Sequence, residues 1–201
     1  MRPASSTHGP KHGWLELILG CMFSGKTSAL EKIYRQYAIC NIDCMVVNFA
    51  GDTRYSSEML STHDKTTIPC TFATELSEVT TRASTAEVIL INEGQFFPDL
   101  VTWVEARLSE HKTVYVCGLD GDFRQRRFGS MLDLIPRADM YTKLTALCAN
   151  CRTGARAPFT YRKSDSEEQR LIGTDEYMPV CRACNDVLSA PPVTSRGPGH
   201  A

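Results

Sequence analysis

The stretch Trp14 to Thr27, WLELILGCMFSGKT, constrains the fold more than any other part of the chain. Residues 14–19 read as a strand, which enters a glycine loop and then a helix from about Gly25 to Cys40 with Leu30, Ile33, Tyr34, Tyr37 and Ala38 on one face. The loop fits Gly-x-x-x-x-Gly-Lys-Thr between strand and helix, the context in which such a loop cradles phosphates. Its main-chain N–H groups turn inward on phosphate oxygens, and the helix N-terminus adds partial positive charge. Lys26 then reaches the transferred phosphoryl and Thr27 offers a hydroxyl to Mg²⁺. Binding of a nucleoside triphosphate is the expectation, against a glycine-rich turn that holds nothing.

The rest of the chain extends this unit. Residues 43–48 (DCMVVN), 88–91 (VILI) and 113–118 (TVYVCG) read as further strands, and 68–72 as a short apolar stretch. A helix is expected near Glu75 to Arg82, and another after Pro98 with Leu100, Val101, Val104 and Leu108 as its buried stripe. Strands alternating with helices predict an α/β fold, a parallel sheet covered on both faces. The main domain is expected over 14–143 and a small appendage over 144–189. Residues 1–13 and 190–201, rich in Pro, Gly, Ser and His, are expected to be disordered.

In 201 residues one sizeable core is the natural arrangement, and 42% apolar with 22% charged residues is ordinary for a globular chain. A net charge of -1 supplies no global field for nucleic acid or an anionic membrane. The first thirteen residues hold no secretory apolar core and no later run approaches a membrane span, so a soluble, cytoplasmic protein is expected.

Two segments follow strands and belong on the same sheet edge, where open α/β sheets bind ligands. NEGQ (92–95) brings Asn92 and Glu93, and Glu93 is the candidate general base for a substrate hydroxyl. Asn92 stands where a phosphotransferase of this loop type usually keeps an aspartate beside its magnesium. It is expected to be an outer partner of the ion, less effective than aspartate would be. GDTRYSS (51–57) offers Asp52 to the metal and Arg54 to phosphate, or else a turn with a solvated arginine. In GLDGDFRQRRFG (118–129), Phe123 and Phe128 alternate with arginines, which suits aromatic walls for a small planar ligand better than nucleic acid at this net charge.

Of nine cysteines, four form two C-x-x-C pairs, Cys148 with Cys151 and Cys181 with Cys184. Four thiolates on two tight turns match structural zinc, and a segment this short and polar needs a metal to hold together.

These motifs, in this order, together with DTRYSSEMLSTHDK (52–65) and IGTDEY (172–177), resemble the type II thymidine kinases, the cellular and poxviral class, over about residues 14–188. The resemblance implies a RecA-like P-loop domain, a small zinc-binding domain with a "lasso" loop, and transfer of the ATP γ-phosphoryl to the 5′-hydroxyl of thymidine or deoxyuridine. It implies Glu93 as catalytic base, and an ATP and Mg²⁺ site from Gly20, Met22, Phe23, Ser24, Gly25, Lys26 and Thr27, with Asp52, Arg54, Asn92 and Gln95. Met22, Phe96, Leu119, Phe123 and Phe128 are implied as walls around the nucleoside, Thr160 as a hydroxyl near the base, and Leu171, Ile172 and Gly173 with Tyr177 as the lasso. A homotetramer or homodimer and feedback inhibition by dTTP are implied as well, with no nucleic-acid or membrane partner. The chain departs from the family in Asn92 for aspartate, in a lasso one residue shorter, and in a longer segment between Cys151 and Thr160.

Overall fold

The computed structural model describes residues 12–51, 59–61, 67–171 and 175–190. Strand β1 (Trp14–Gly20) alternates so that Leu15, Leu17 and Leu19 point to one face of the sheet and Ile18 to the other. Helix α1 (Lys26–Ile39) follows, then β2 (Cys44–Phe49), and two short strands, β3 (Met59–Ser61) and β4 (Thr67–Pro69), that pair with each other. Next come β5 (Thr71–Ala73), α2 (Thr80–Thr85), β6 (Val88–Ile91), α3 (Leu100–Ser109) and β7 (Thr113–Gly118).

With β8 (Met140–Leu144) these strands make a six-stranded sheet in the order β5-β2-β6-β7-β1-β8, and every pairing in it is parallel. All four residues of β6 are buried. A parallel strand covered on both faces has no solvent side to place polar residues on. On one face α1 packs Leu30, Ile33, Tyr34 and Tyr37 against Ile18, Val46, Leu90 and Tyr115. On the other, α3 packs Leu100, Trp103 and Val104 against the alternate residues of the same strands. The α/β expectation therefore holds, with three local differences.

Ala38 is exposed, because α1 leaves the sheet in its last turn. The helix expected near 75–82 is a 3₁₀ turn, Leu76–Val79, followed by α2. Asp99 accepts the Leu76 and Ser77 main-chain N–H groups at 3.0 and 2.8 Å, which fixes the tighter turn at its start. Residues 139–147, DMYTKLTAL, read as one strand-like run into the first cysteine pair, but they divide, with β8 joining the main sheet and β9 (Ala146–Leu147) leaving it.

The remainder is a small module of two hairpins and a helix. β9 pairs with β10 (Arg156–Ala157), β11 (Phe159–Arg162) with β12 (Tyr177–Val180), and α4 (Arg182–Leu188) follows. Among its described residues the buried apolar side chains are Cys148, Ala157 and Val180, which cluster together, and Tyr177. Among the described residues no helix is long and apolar enough to cross a membrane.

Candidate active site and cysteine cluster

Gly25 opens α1 in the left-handed region at φ 84°, a conformation that costs a residue without a side chain little. Gly20 lies so close to β8 that a Cβ there would come within 2.5 Å of the Leu144 carbonyl oxygen. These two positions let the chain from 20 to 25 turn tightly at the C-terminal end of β1. Lys26, nearly buried, folds back so that Nζ donates to the Cys21 carbonyl at 2.7 Å, and Ser24 Oγ donates to the same oxygen at 2.8 Å. An ammonium held by one neutral carbonyl is poised to exchange it for a phosphate oxygen.

Two strands away, β6 ends and Glu93 follows in the left-handed region at φ 56°, ψ 43°. A non-glycine residue there is strained by about 1–3 kcal/mol, a cost that recurs at functional sites. The geometry turns the Glu93 side chain toward the mouth of the sheet, where Gln95 Nε2 donates to its Oε2 at 2.7 Å. Gln95 Oε1 in turn accepts the Leu119 N–H at 3.0 Å. Between these strands lies Cys117, fully buried, with its thiol pushed up to about 12, first by desolvation and next by the Glu93 charge, while Lys26 pulls the other way. In the strand order β7 lies between β6, which Glu93 follows, and β1, whose loop leads to Lys26.

Asn92 is 1% exposed. Its Nδ2 donates to Asn48 Oδ1 at 2.8 Å and its Oδ1 accepts the Cys117 thiol at 2.8 Å. The amide thus ties β2, β6 and β7 together. Asn92 follows Leu90 by two residues and its N–H still bonds the Val47 carbonyl, so its side chain lies on the Leu90 face, the one that α1 covers.

The apolar walls gather at the same edge. Phe96 meets Phe128 edge-on with centroids 5.4 Å apart, and Phe49 lies 5.1 Å from Phe96. Leu119 and Phe123 are half-buried on the loop after β7, where the Phe123 ring meets the Arg124 and Arg162 guanidiniums. Thr160 comes from β11 of the small module, yet its Oγ1 accepts the Met22 N–H at 3.0 Å and so stitches that module to the phosphate loop. Thr27 is half-buried one residue beyond Lys26. Tyr177 Oη donates to the Leu171 carbonyl at 3.0 Å. Asp52, Arg54, Ile172 and Gly173 lie outside the described residues, as do the terminal segments 1–11 and 191–201.

Sequence reasoning passed over Phe49, Asp122, Arg162 and Arg170. Arg170 lies 4.7 and 4.8 Å from the Phe49 and Phe96 ring centroids. Asp122 Oδ1 accepts the Arg124 and Arg126 N–H groups, both at 2.9 Å, and holds the 118–129 loop in its turn. An aspartate opening a turn was visible in GLDGDFRQ. The other three carry no local signal.

Cys148, Cys151, Cys181 and Cys184 bring their sulfurs within 4.8 Å of one another. Tetrahedral zinc with Zn–S of about 2.3 Å needs sulfurs about 3.8 Å apart, so the set fits with small side-chain adjustments. Burial opposes ionisation of Cys148, but main-chain N–H groups of Cys181, Cys151 and Asn150 more than offset it and hold this thiol below the usual thiol range. Among the described residues no fifth donor joins the four sulfurs, so the cluster could hold a metal with a closed set of ligands.

The thymidine kinase family model matches residues 13–185. The cytosolic thymidine kinase of Cricetulus griseus is 44% identical over 173 residues, which is 86% of this chain and 73% of that protein. That of Homo sapiens is 43% identical over the same shares. The thymidine kinase of vaccinia virus (strain Western Reserve) is 40% identical, covering 86% of this chain and 96% of its own length.

Proposed function

The chain belongs to the thymidine kinase family, and we propose that it carries out the family's phosphoryl transfer through Glu93. It is an ATP-dependent thymidine kinase, a phosphotransferase with an alcohol group as acceptor. The observation that carries the assignment of Glu93 is its placement. It is a strained residue at the carboxyl end of β6, with one carboxylate oxygen fixed by Gln95 and Lys26 across β7.

In this reading Lys26 leaves the Cys21 carbonyl for the ATP phosphates, and the N–H groups of residues 20–27 receive the β- and γ-phosphate oxygens. Thr27 is the described hydroxyl that would hold magnesium, with Asp52 and Arg54 assigned to the metal and phosphates by the family pattern alone. Bound magnesium neutralises charge on the transferring phosphoryl. Phe96, Phe123, Phe128, Leu119 and Met22 enclose the nucleoside, and residues 171–173 with Tyr177 cover it, with Thr160 near the base. Glu93 then accepts the proton of the 5′-hydroxyl of thymidine or deoxyuridine as that oxygen attacks the γ-phosphorus.

The cysteine cluster binds one structural zinc that holds 144–189 as a unit beside the kinase domain, 14–143. Feedback inhibition by dTTP at the nucleoside site, a homotetrameric or dimeric assembly and a cytoplasmic location complete the proposal. The absence of any field favouring polyanions fits small-molecule partners alone. The test is ATP-dependent formation of thymidine monophosphate by the purified protein. Product from the wild type, none from Glu93→Gln, and unchanged ATP affinity in that variant are the expected results. Product from Glu93→Gln at the wild-type rate would overturn the assignment of the base.

A further inference from the structure

Arg162 lies on β11 two residues past Thr160, on the same inward face, and is 4% exposed. Its guanidinium donates to main-chain oxygens of a single loop. Nη1 reaches the Ser166 carbonyl at 3.1 Å and the Glu168 carbonyl, and Nη2 reaches the Gln169 carbonyl at 3.1 Å. Nη2 also donates to Tyr177 Oη at 2.6 Å, and Tyr177 passes the hydrogen bond on to the Leu171 carbonyl. The flat face of the same group stands 3.8 Å from the Phe123 ring centroid. Its Nε is buried with no partner among the described residues, a cost that a side chain kept for packing alone would avoid.

One strand-anchored side chain therefore fixes four carbonyls between residues 166 and 171, three directly and one through Tyr177. That segment crosses the aromatic site. Gln169 Nε2 donates to Asp122 Oδ2 at 2.9 Å and to the Arg127 carbonyl at 3.2 Å, and Arg170 lies over Phe49 and Phe96. We propose that Arg162 is a positioning residue for nucleoside recognition, holding the 166–171 loop in its bound course over the aromatic walls before the nucleoside arrives. A loop ordered in advance leaves less conformational entropy to be lost on binding. Lysine cannot substitute, because a point ammonium lacks the planar fork that reaches several carbonyls while stacking on an aromatic ring.

The inference rests on the thymidine kinase reading, so its test has one arm that does not. In kinetics on the full chain, Arg162→Lys and Arg162→Met are expected to raise the KM for thymidine by about tenfold or more, with kcat within about threefold and the KM for ATP unchanged. Tyr177→Phe, which removes the relay to Leu171 and one acceptor of Arg162 but leaves its three carbonyl contacts, is expected to raise the thymidine KM by a smaller factor. In the second arm, tryptic cleavage after Lys163 and Arg170 without nucleoside is expected to be faster in both Arg162 variants, at unchanged metal content and melting temperature. A wild-type thymidine KM in Arg162→Lys, or an equal rise in the KM for ATP, would overturn the proposal. Unchanged cleavage rates would overturn it independently of any activity. If the wild type makes no thymidine monophosphate, the functional reading fails and the nucleoside role fails with it, while the cleavage rates still decide whether Arg162 holds the loop.

Discussion

Gln95 bridges Glu93 and the main chain of Leu119, donating to the carboxylate at 2.7 Å and accepting the N–H at 3.0 Å. Because the Leu119 N–H can only be met by an oxygen, the orientation of the amide is forced and its NH₂ must face Glu93. Glu93→Gln is expected to lower kcat by roughly 10²–10⁴, the range lost with a general base. Gln95→Leu keeps the base but frees its rotamer, and a loss of about tenfold in kcat is expected. Pre-steady-state formation of thymidine monophosphate measures both. Equal losses in the two variants would mean that Gln95 does more than orient its neighbour.

Asn92→Asp tests what the buried amide does. The substitution places a carboxylate beside Asn48 Oδ1 in a site that is 1% exposed. Loss of the amide donor and burial of charge are expected to destabilise the protein by about 1–3 kcal/mol near neutral pH. Such a carboxyl has a raised folded-state pKa, so the folded state binds the extra proton and the deficit shrinks as pH falls. Thermal unfolding at pH 5 and pH 8 checks the sign. A variant as stable as wild type at both, with tighter magnesium dependence, would restore Asn92 to the metal's outer shell.

Cys117 supplies a pH dependence at the alkaline end. Its folded-state value is raised from 9.0 to about 12, chiefly by desolvation, so above pH 9 the unfolded chain loses this proton before the folded one does. Stability is therefore lost as pH rises from about 9 to 12, by on the order of 1 kcal/mol at pH 10 from this group. Urea unfolding of wild type and Cys117→Val at pH 7.5 and pH 10 reads the difference. The variant is expected to show the shallower decline.

The cysteine cluster predicts that metal removal acts on the nucleoside site. Among its described residues the small module buries only four apolar side chains, Cys148, Ala157, Tyr177 and Val180, while Thr160 on β11 accepts the Met22 N–H of the phosphate loop. Chelation, or Cys181→Ser, is expected to release one zinc per chain, unfold the module and abolish thymidine phosphorylation. Elemental analysis with circular dichroism checks it, and full activity in a metal-free protein would exclude a structural role.

Much of this was legible in local sequence. The phosphate loop announces itself because its geometry needs glycines at fixed spacing before a helix, and the cysteine pairs because a metal needs donors on tight turns. The direction of Asn92 was less legible. The motif reads as a polar pair delivered to a site, but that Asn92 also bonds Asn48 and the Cys117 thiol depends on which strands flank β6. Arg162 was not legible at all. Its partners lie four to fifteen residues away, and three of them are main-chain carbonyls, which any sequence possesses.

By itself, the sequence determined the parallel α/β class, the phosphate loop and the two cysteine pairs, because each depends on residue types at short, fixed separations, and it singled out Glu93 as the candidate base. Only the tertiary structure decided which groups meet across strands and between the two parts of the chain. It set Asn48 against Asn92 and Cys117, Thr160 against Met22, and Arg162 beneath the 166–171 loop. Those contacts follow from strand order and register, which are fixed by how all the apolar faces pack at once.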